Sequence, residues 1–180
     1  MASLADIFVQ EAFGTAHRAH ASTAGIAKYI PAVSGFLIEK EVEFLGNALE
    51  NPKRPFVAVM GGAKVGDKIP VIENLLTKVD TLIIGGGMTY TFYRALGYET
   101  GTSIIDEENI ELAGKLMDKA KRLGVSLLLP LDSVCAEKFS DDATPVIFDA
   151  DKIVPGYMGL DIGPRSEEHT SELQSPSLIS

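Results

Sequence analysis

Two junctions of the same kind, lying close together in the chain, constrain its fold more than any other feature. The first is Phe56-Val57-Ala58-Val59-Met60-Gly61-Gly62-Ala63-Lys64-Val65-Gly66-Asp67-Lys68. The second is Asp80-Thr81-Leu82-Ile83-Ile84-Gly85-Gly86-Gly87, followed by a helical stretch over Met88–Leu96. Each starts as a short apolar, β-favouring run, the pattern of a short buried strand. Each then breaks on consecutive glycines and feeds a helix. Repeated strand–glycine–helix turns place their loops at the carboxyl edge of one parallel sheet, where open α/β sheets bind ligands. A nucleotide or phosphate is the expected ligand class.

The first junction predicts a helix opening directly after Gly62, with Lys64 and Lys68 at i and i+4 on one face. Backbone N–H groups at such a turn attract an anion. Lysines near a helix N-terminus oppose the macrodipole, a conflict that a bound phosphate removes. The other reading is a tight strand–helix turn carrying two solvated lysines. The stretch is not a Walker A loop. Asp67 stands where that loop has lysine, and Lys68 is followed by Ile69 instead of Ser or Thr. Nor is it the G-x-G-x-x-G of a dinucleotide fold.

Around these junctions the pattern alternates β and α. Ile7–Val9 reads as a strand. Gly14–Thr23 is small and polar, with His17 and His20 flanking Arg18. It is either a solvated surface loop or an anion clamp, since arginine offers a planar fork of donors to phosphate or carboxylate. No further ligands support a zinc site at the two histidines. Gly25–Asn51 reads as a long helical region interrupted at Pro31, either a crossover helix or a link between two domains. Asp106–Leu123 is an amphipathic helix stopped by Gly124. Val125–Leu129 and Pro145–Phe148 read as strands, and Val154–Pro164 is Gly- and Pro-rich. Right-handed β-α-β crossovers then imply a three-layer α/β domain.

Charge and cysteine usage narrow the function. The net charge of −9 disfavours nucleic acid and anionic membrane surfaces as partners. The single cysteine, Cys135, offers no partner for a disulfide within this sequence and reads as a small core residue. No apolar run reaches the length of a membrane span, and the N-terminus lacks a signal pattern, so cytoplasm is the expected compartment.

Four motifs in order now resemble one family. Ala12-Phe13-Gly14-Thr15-Ala16-His17-Arg18-Ala19-His20 is similar to the N-domain motif of the phosphoglycerate kinases. Gly61–Lys68 resembles their nucleotide loop, in a variant of bacterial type. Ile83-Ile84-Gly85-Gly86-Gly87-Met88 and Gly159-Leu160-Asp161-Ile162-Gly163-Pro164 resemble two further signatures. The resemblance implies reversible phosphoryl transfer between MgATP and the carboxylate of 3-phosphoglycerate, giving 1,3-bisphosphoglycerate in glycolysis. It implies Arg18 as a catalytic and substrate-binding clamp, with His17 beside it. It implies Gly62, Ala63, Lys64 and Lys68 on the nucleotide phosphates, with Lys64 catalytic, and Gly86 and Gly87 near the adenine. Asp67 is a weaker candidate for the metal. The implied small molecules are ATP or ADP with magnesium, and 3-phosphoglycerate, in a family whose full-length members are usually monomeric.

The expected fold class is therefore α/β. A three-layer, parallel-sheet, Rossmann-like nucleotide domain, incomplete, accompanies a remnant of an N-terminal α/β domain. The expected divisions are residues 1–24 for that remnant, 25–51 for an interdomain helical connector and 52–164 for the first part of the nucleotide domain. Residues 165–180 are expected to be a disordered, non-native tail. Arg165–Ser175 is similar to a translated short-read sequencing adapter, and the tail has no hydrophobic periodicity. Family segments that complete the magnesium and substrate sites, including a Trp-Asn-Gly-Pro run, have no counterpart here. The chain is accordingly expected to be an internal fragment, starting abruptly and without turnover alone. The alternative is a partial nucleotide-binding module.

Overall fold

The computed structural model describes residues 1–50 and 52–168, in two compact units, Met1–Lys53 and Arg54–Ser180. In the first unit, strand β1 (Phe8–Gln10) runs parallel to β2 (Ala32–Ser34), with Val9 opposite Val33. Helix α1 (Phe36–Glu50) follows. The strand at Ala32–Ser34 corrects the long helical region expected over Gly25–Asn51. Pro31 has no N–H for a helix ladder, and its carbonyl instead accepts the Phe8 N–H at 2.9 Å. The Gly35 N–H then bonds to the Gln10 carbonyl at 2.8 Å, which fixes the chain as a β1 partner until α1 starts. Before Pro31, the chain forms short helical turns over Ala21–Gly25 and Ile26–Lys28.

The second unit carries the junctions. Strands β3 (Val57–Gly61), β4 (Thr81–Gly85) and β5 (Ser126–Leu128) form a parallel sheet in that order, with Gly61 opposite Gly85. Between them lie helices α2 (Ile69–Leu75), α3 (Met88–Ala95) and α4 (Ile110–Leu123). Ala58, Met60, Leu82 and Ile84 pack with Ile72 and Leu76, Met88 and Phe92, and Ala113, Leu116 and Ala120. Alternating residues along a strand share a face, so this packing selects one side of the sheet for the core. As expected, α4 ends on Gly124, whose φ of +73° is the left-handed cap conformation.

Helix α3 is buried from Met88 to Tyr93 because it serves two cores. Met88 and Phe92 join the sheet core, while Tyr90 and Tyr93 join a second cluster with Cys135, Ala150 and Ile153. That second cluster sits with a sheet of which the sequence reading expected only one strand, over Pro145–Phe148. Strands β6 (Asp132–Ala136), β7 (Val146–Asp149) and β8 (Met158–Ile162) form a separate antiparallel sheet in the order β7-β6-β8. The Gly- and Pro-rich stretch Val154–Pro164 thus contains a strand. Cys135 is fully buried, as expected, and burial pushes its thiol up to about 11.

The expected disordered tail is corrected at its start. Residues 164–168 form a helical turn. Its Ser166 is buried, with Oγ accepting the Leu131 and Asp132 N–H groups at 2.8 and 3.0 Å. The Asp132 carboxylate in turn accepts the N–H groups of Arg165 and Ser166 at 3.1 and 2.9 Å. A small hydroxyl beside a buried carboxylate supplies order that hydrophobic periodicity does not register. The remainder of that expected tail, from residue 169, lies outside the described residues.

Candidate functional site

At the carboxyl edge of the parallel sheet, the two glycine loops meet backbone to backbone. The Met88 N–H donates to the Gly62 carbonyl at 2.7 Å, tying the start of α3 to the first loop. Gly86 has a φ of +67°, and a Cβ there would lie 3.0 Å from the Gly62 nitrogen. Only glycine meets both demands without strain. A Cβ on Gly87 would sit 3.4 Å from Ala63 Cα. The structure therefore brings together Gly62, Ala63, Gly86 and Gly87, which the sequence singled out in separate motifs.

The lysines are arranged differently from the sequence expectation. The chain passes through Ala63 and Lys64 as exposed loop, makes a single tight turn over Gly66–Lys68, and enters α2 only at Ile69. Pro70 occupies the first turn of α2, where its missing N–H costs nothing. Lys64 and Lys68 thus do not share a helix face. The physical reason is a contact distant in sequence. The Gly66 N–H is taken by the Asp106 carboxylate at 3.0 Å and contributes no helical bond. Lys68 still reaches the glycines, since its Cε lies 3.6 Å from the position of a Gly62 Cβ. The N–H groups of Ala63, Lys64 and Gly87 have no acceptor among the described residues. Three unengaged donors and two ammonium groups around one loop edge can take an anion with several oxygens.

Asp106 and its partners were not legible as site residues. Asp106 opens the turn Glu107–Asn109 before α4. The Gly66 N–H, the Asn109 side-chain amide and, more weakly, the Lys64 charge hold its carboxyl below the usual carboxylate range. The signal in the sequence is an acid followed three residues later by Asn109, which reads as a local cap; nothing local points to the loop at Gly66.

Asp67 is exposed on the loop. Among the described residues, no group of three His, Cys, Asp or Glu side chains is placed to hold a metal ion.

In the first unit, Arg18 and His17 are adjacent and exposed, with Arg18 Nε donating to His17 Nε2 at 3.2 Å. Their backbone is fixed by Thr23, the buried residue of this segment. Its Oγ1 donates to the Arg18 carbonyl at 2.6 Å and lies 3.1 Å from the His20 nitrogen, whose N–H it accepts.

The class these features define is an open-sheet α/β protein with paired glycine loops at the carboxyl edge. Comparison with known proteins specifies it further. The family description "Phosphoglycerate kinase" matches residues 1–177. The phosphoglycerate kinase of Clostridium kluyveri is 61% identical over 167 residues, covering 92% of this chain and 42% of that protein. That of Clostridium tetani is 57% identical over 181 residues, covering 99% and 45%. The solved phosphoglycerate kinase of Coxiella burnetii superposes with a TM-score of 0.82 at 46% identity, over 96% of this chain and 45% of that one. The enzyme from Pyrococcus horikoshii gives 0.72 at 30%, over 96% and 44%. The chain belongs to the phosphoglycerate kinase family, and it spans less than half the length of the relatives it matches.

Proposed function

We propose that this chain supplies the nucleotide-phosphate loop of a phosphoglycerate kinase. The reaction is reversible transfer of a phosphoryl group between MgATP and the carboxylate of 3-phosphoglycerate. The observation that carries the reading is the backbone-to-backbone lock between Gly62 and Gly86–Met88, with open donors at Ala63, Lys64 and Gly87. Phosphoryl transfer asks a protein mainly for positioning and for stabilisation of charge on the transferred group. The Ala63 and Lys64 N–H groups and the Lys68 ammonium hold the nucleotide phosphates. The Lys64 ammonium offsets the charge that spreads over the transferring oxygens. Gly86 and Gly87, lacking side chains, allow the nucleoside to approach the sheet edge. Arg18 binds the phosphate or carboxylate of the acceptor in a fork of donors, with His17 orienting it.

Magnesium enters this reading as part of the nucleotide complex, where it neutralises phosphate charge. Asp67 is the acid that the loop offers towards it. The partners are small molecules, with no part for nucleic acid or a membrane, and the full-length protein works as a monomer. No described helix is long and apolar enough to cross a membrane. The lone buried Cys135 thiol suits a reducing compartment, and the cytoplasm is the proposed location.

The test is calorimetric titration with MgADP of the 180-residue chain and of Lys64→Ala. Saturable binding that weakens at least about tenfold in the variant, about 1.4 kcal/mol, supports the loop assignment. Equal affinity in both removes it. The same chain, given MgATP and 3-phosphoglycerate, is expected to show no turnover. Measurable product would mean that the loops described suffice for catalysis.

A further inference from the structure

The chain crosses from the glycine edge to α2 with a single helical-turn bond, Lys68 N–H to the Val65 carbonyl at 2.9 Å, and it is held at two further points. Val65 is fully buried in the sheet core. One residue on, the Gly66 N–H donates to Asp106 Oδ2 at 3.0 Å. Asp106 is itself held from two sides. Its Oδ1 accepts the Asn109 Nδ2 amide at 2.9 Å, and its own N–H donates to Oγ1 of the buried Thr91 on α3 at 2.9 Å. A Cβ on Gly66 would lie 2.7 Å from Asn109 Nδ2, so the loop backbone sits directly against this acid–amide pair.

We infer that Asp106 is a positioning residue for the nucleotide-phosphate loop: braced at its carboxylate by Asn109 and at its backbone N–H by Thr91, it fixes Gly66 and with it the backbone from which Lys64 projects. The inference rests on the phosphate-loop reading proposed above. Val65 fixes the depth of the loop and Asp106 its path, while the Ala63 and Lys64 N–H groups have no acceptor among the described residues. Charge-assisted bonds to backbone N–H groups are among the stronger hydrogen bonds. This one links α3, the α4 entry and the loop.

The test separates the phosphates from the nucleoside. ADP and adenosine are titrated against the wild-type chain, Asp106→Ala and Asp106→Asn, and amide exchange at Gly66 is followed by NMR. The Ala variant is expected to weaken ADP about tenfold, to leave adenosine unchanged and to exchange the Gly66 amide faster. The Asn variant keeps an acceptor but not the charge and should fall between. Unchanged ADP affinity in both variants overturns the inference, as does an equal loss for ADP and adenosine, which marks general destabilisation. A wild-type chain that ignores ADP defeats the phosphate-loop reading alone. Gly66 exchange then decides the clamp: acceleration in Asp106→Ala supports it, and an unchanged rate overturns it.

Discussion

The two units place their candidate residues by different physics. In residues 54–168, the glycine loops and Asp106 border a dry core of Ile72, Leu76, Leu82, Ile84, Met88 and Phe92. In residues 1–53, Thr23 is the buried residue among those described, and Arg18 is held by hydrogen bonds to its backbone. Helix α1 shows the contrast most clearly. It buries none of its residues, and Phe44 is 72% exposed, whereas Phe92 of α3 is 0% exposed. Burial of apolar surface is the main source of folding free energy. The second unit should therefore hold its loops rigidly over long times, and the first should open by local fluctuation.

The strongest way to break this comparison is to empty one side of it. Phe92→Ala should cost about 3–5 kcal/mol in urea unfolding, while Phe44→Ala should stay within about 0.5 kcal/mol. Similar losses from the two would mean that α1 packs as firmly as α3. Next in size is Gly86→Ala, which forces a Cβ against Gly62 at a positive φ. About 1–3 kcal/mol of strain is expected, with loss of ADP binding in the same sample. A variant that binds ADP normally would show that the two loops need not touch. Thr23→Val removes the hydroxyl bond to the Arg18 carbonyl. It should cost about 1 kcal/mol locally, read as faster amide exchange around Arg18 with residues 54–168 unaffected.

The smallest effect is on pH dependence. Asp80 accepts the Phe56 N–H at 2.6 Å and pairs with Arg54, and both hold its carboxyl below the usual range, the backbone bond most strongly. Asp106 is depressed in the same direction. A depressed carboxylate contributes stability above its unfolded value, about 3.9. That stability is lost as pH falls through the folded value. The urea midpoint of the second unit should therefore decline below about pH 4, and Asp80→Asn should flatten that decline. An identical acid profile in the variant would remove Asp80 from the account.

What the sequence reveals follows the same division. Strands β3, β4 and β5 are legible because each is an apolar run bounded by glycine, proline or polar residues. Helix α4 is legible from its stripe and its glycine stop. Strand β2 is not, because Ala32, Val33 and Ser34 are all exposed and carry no alternation. The sheet of β6, β7 and β8 is hidden for another reason: its pairing joins Ser133 to Ile162 and to Phe148, contacts far apart in sequence. Within the site, the glycines can be read from their clustering, since a backbone that must approach closely excludes side chains. The path of Lys64 cannot, because it depends on Asp106, 40 residues beyond Gly66. Ser166 is a similar case, ordered by the buried Asp132 and not by any pattern of its own.

The most direct test of the central claim is a backbone amide NMR titration of the chain with MgADP. Saturable shifts are expected at Ala63, Lys64, Gly86 and Gly87, with the amides around Arg18 and Thr23 unmoved. Saturable shifts confined to other residues, with those four amides unmoved, would contradict it.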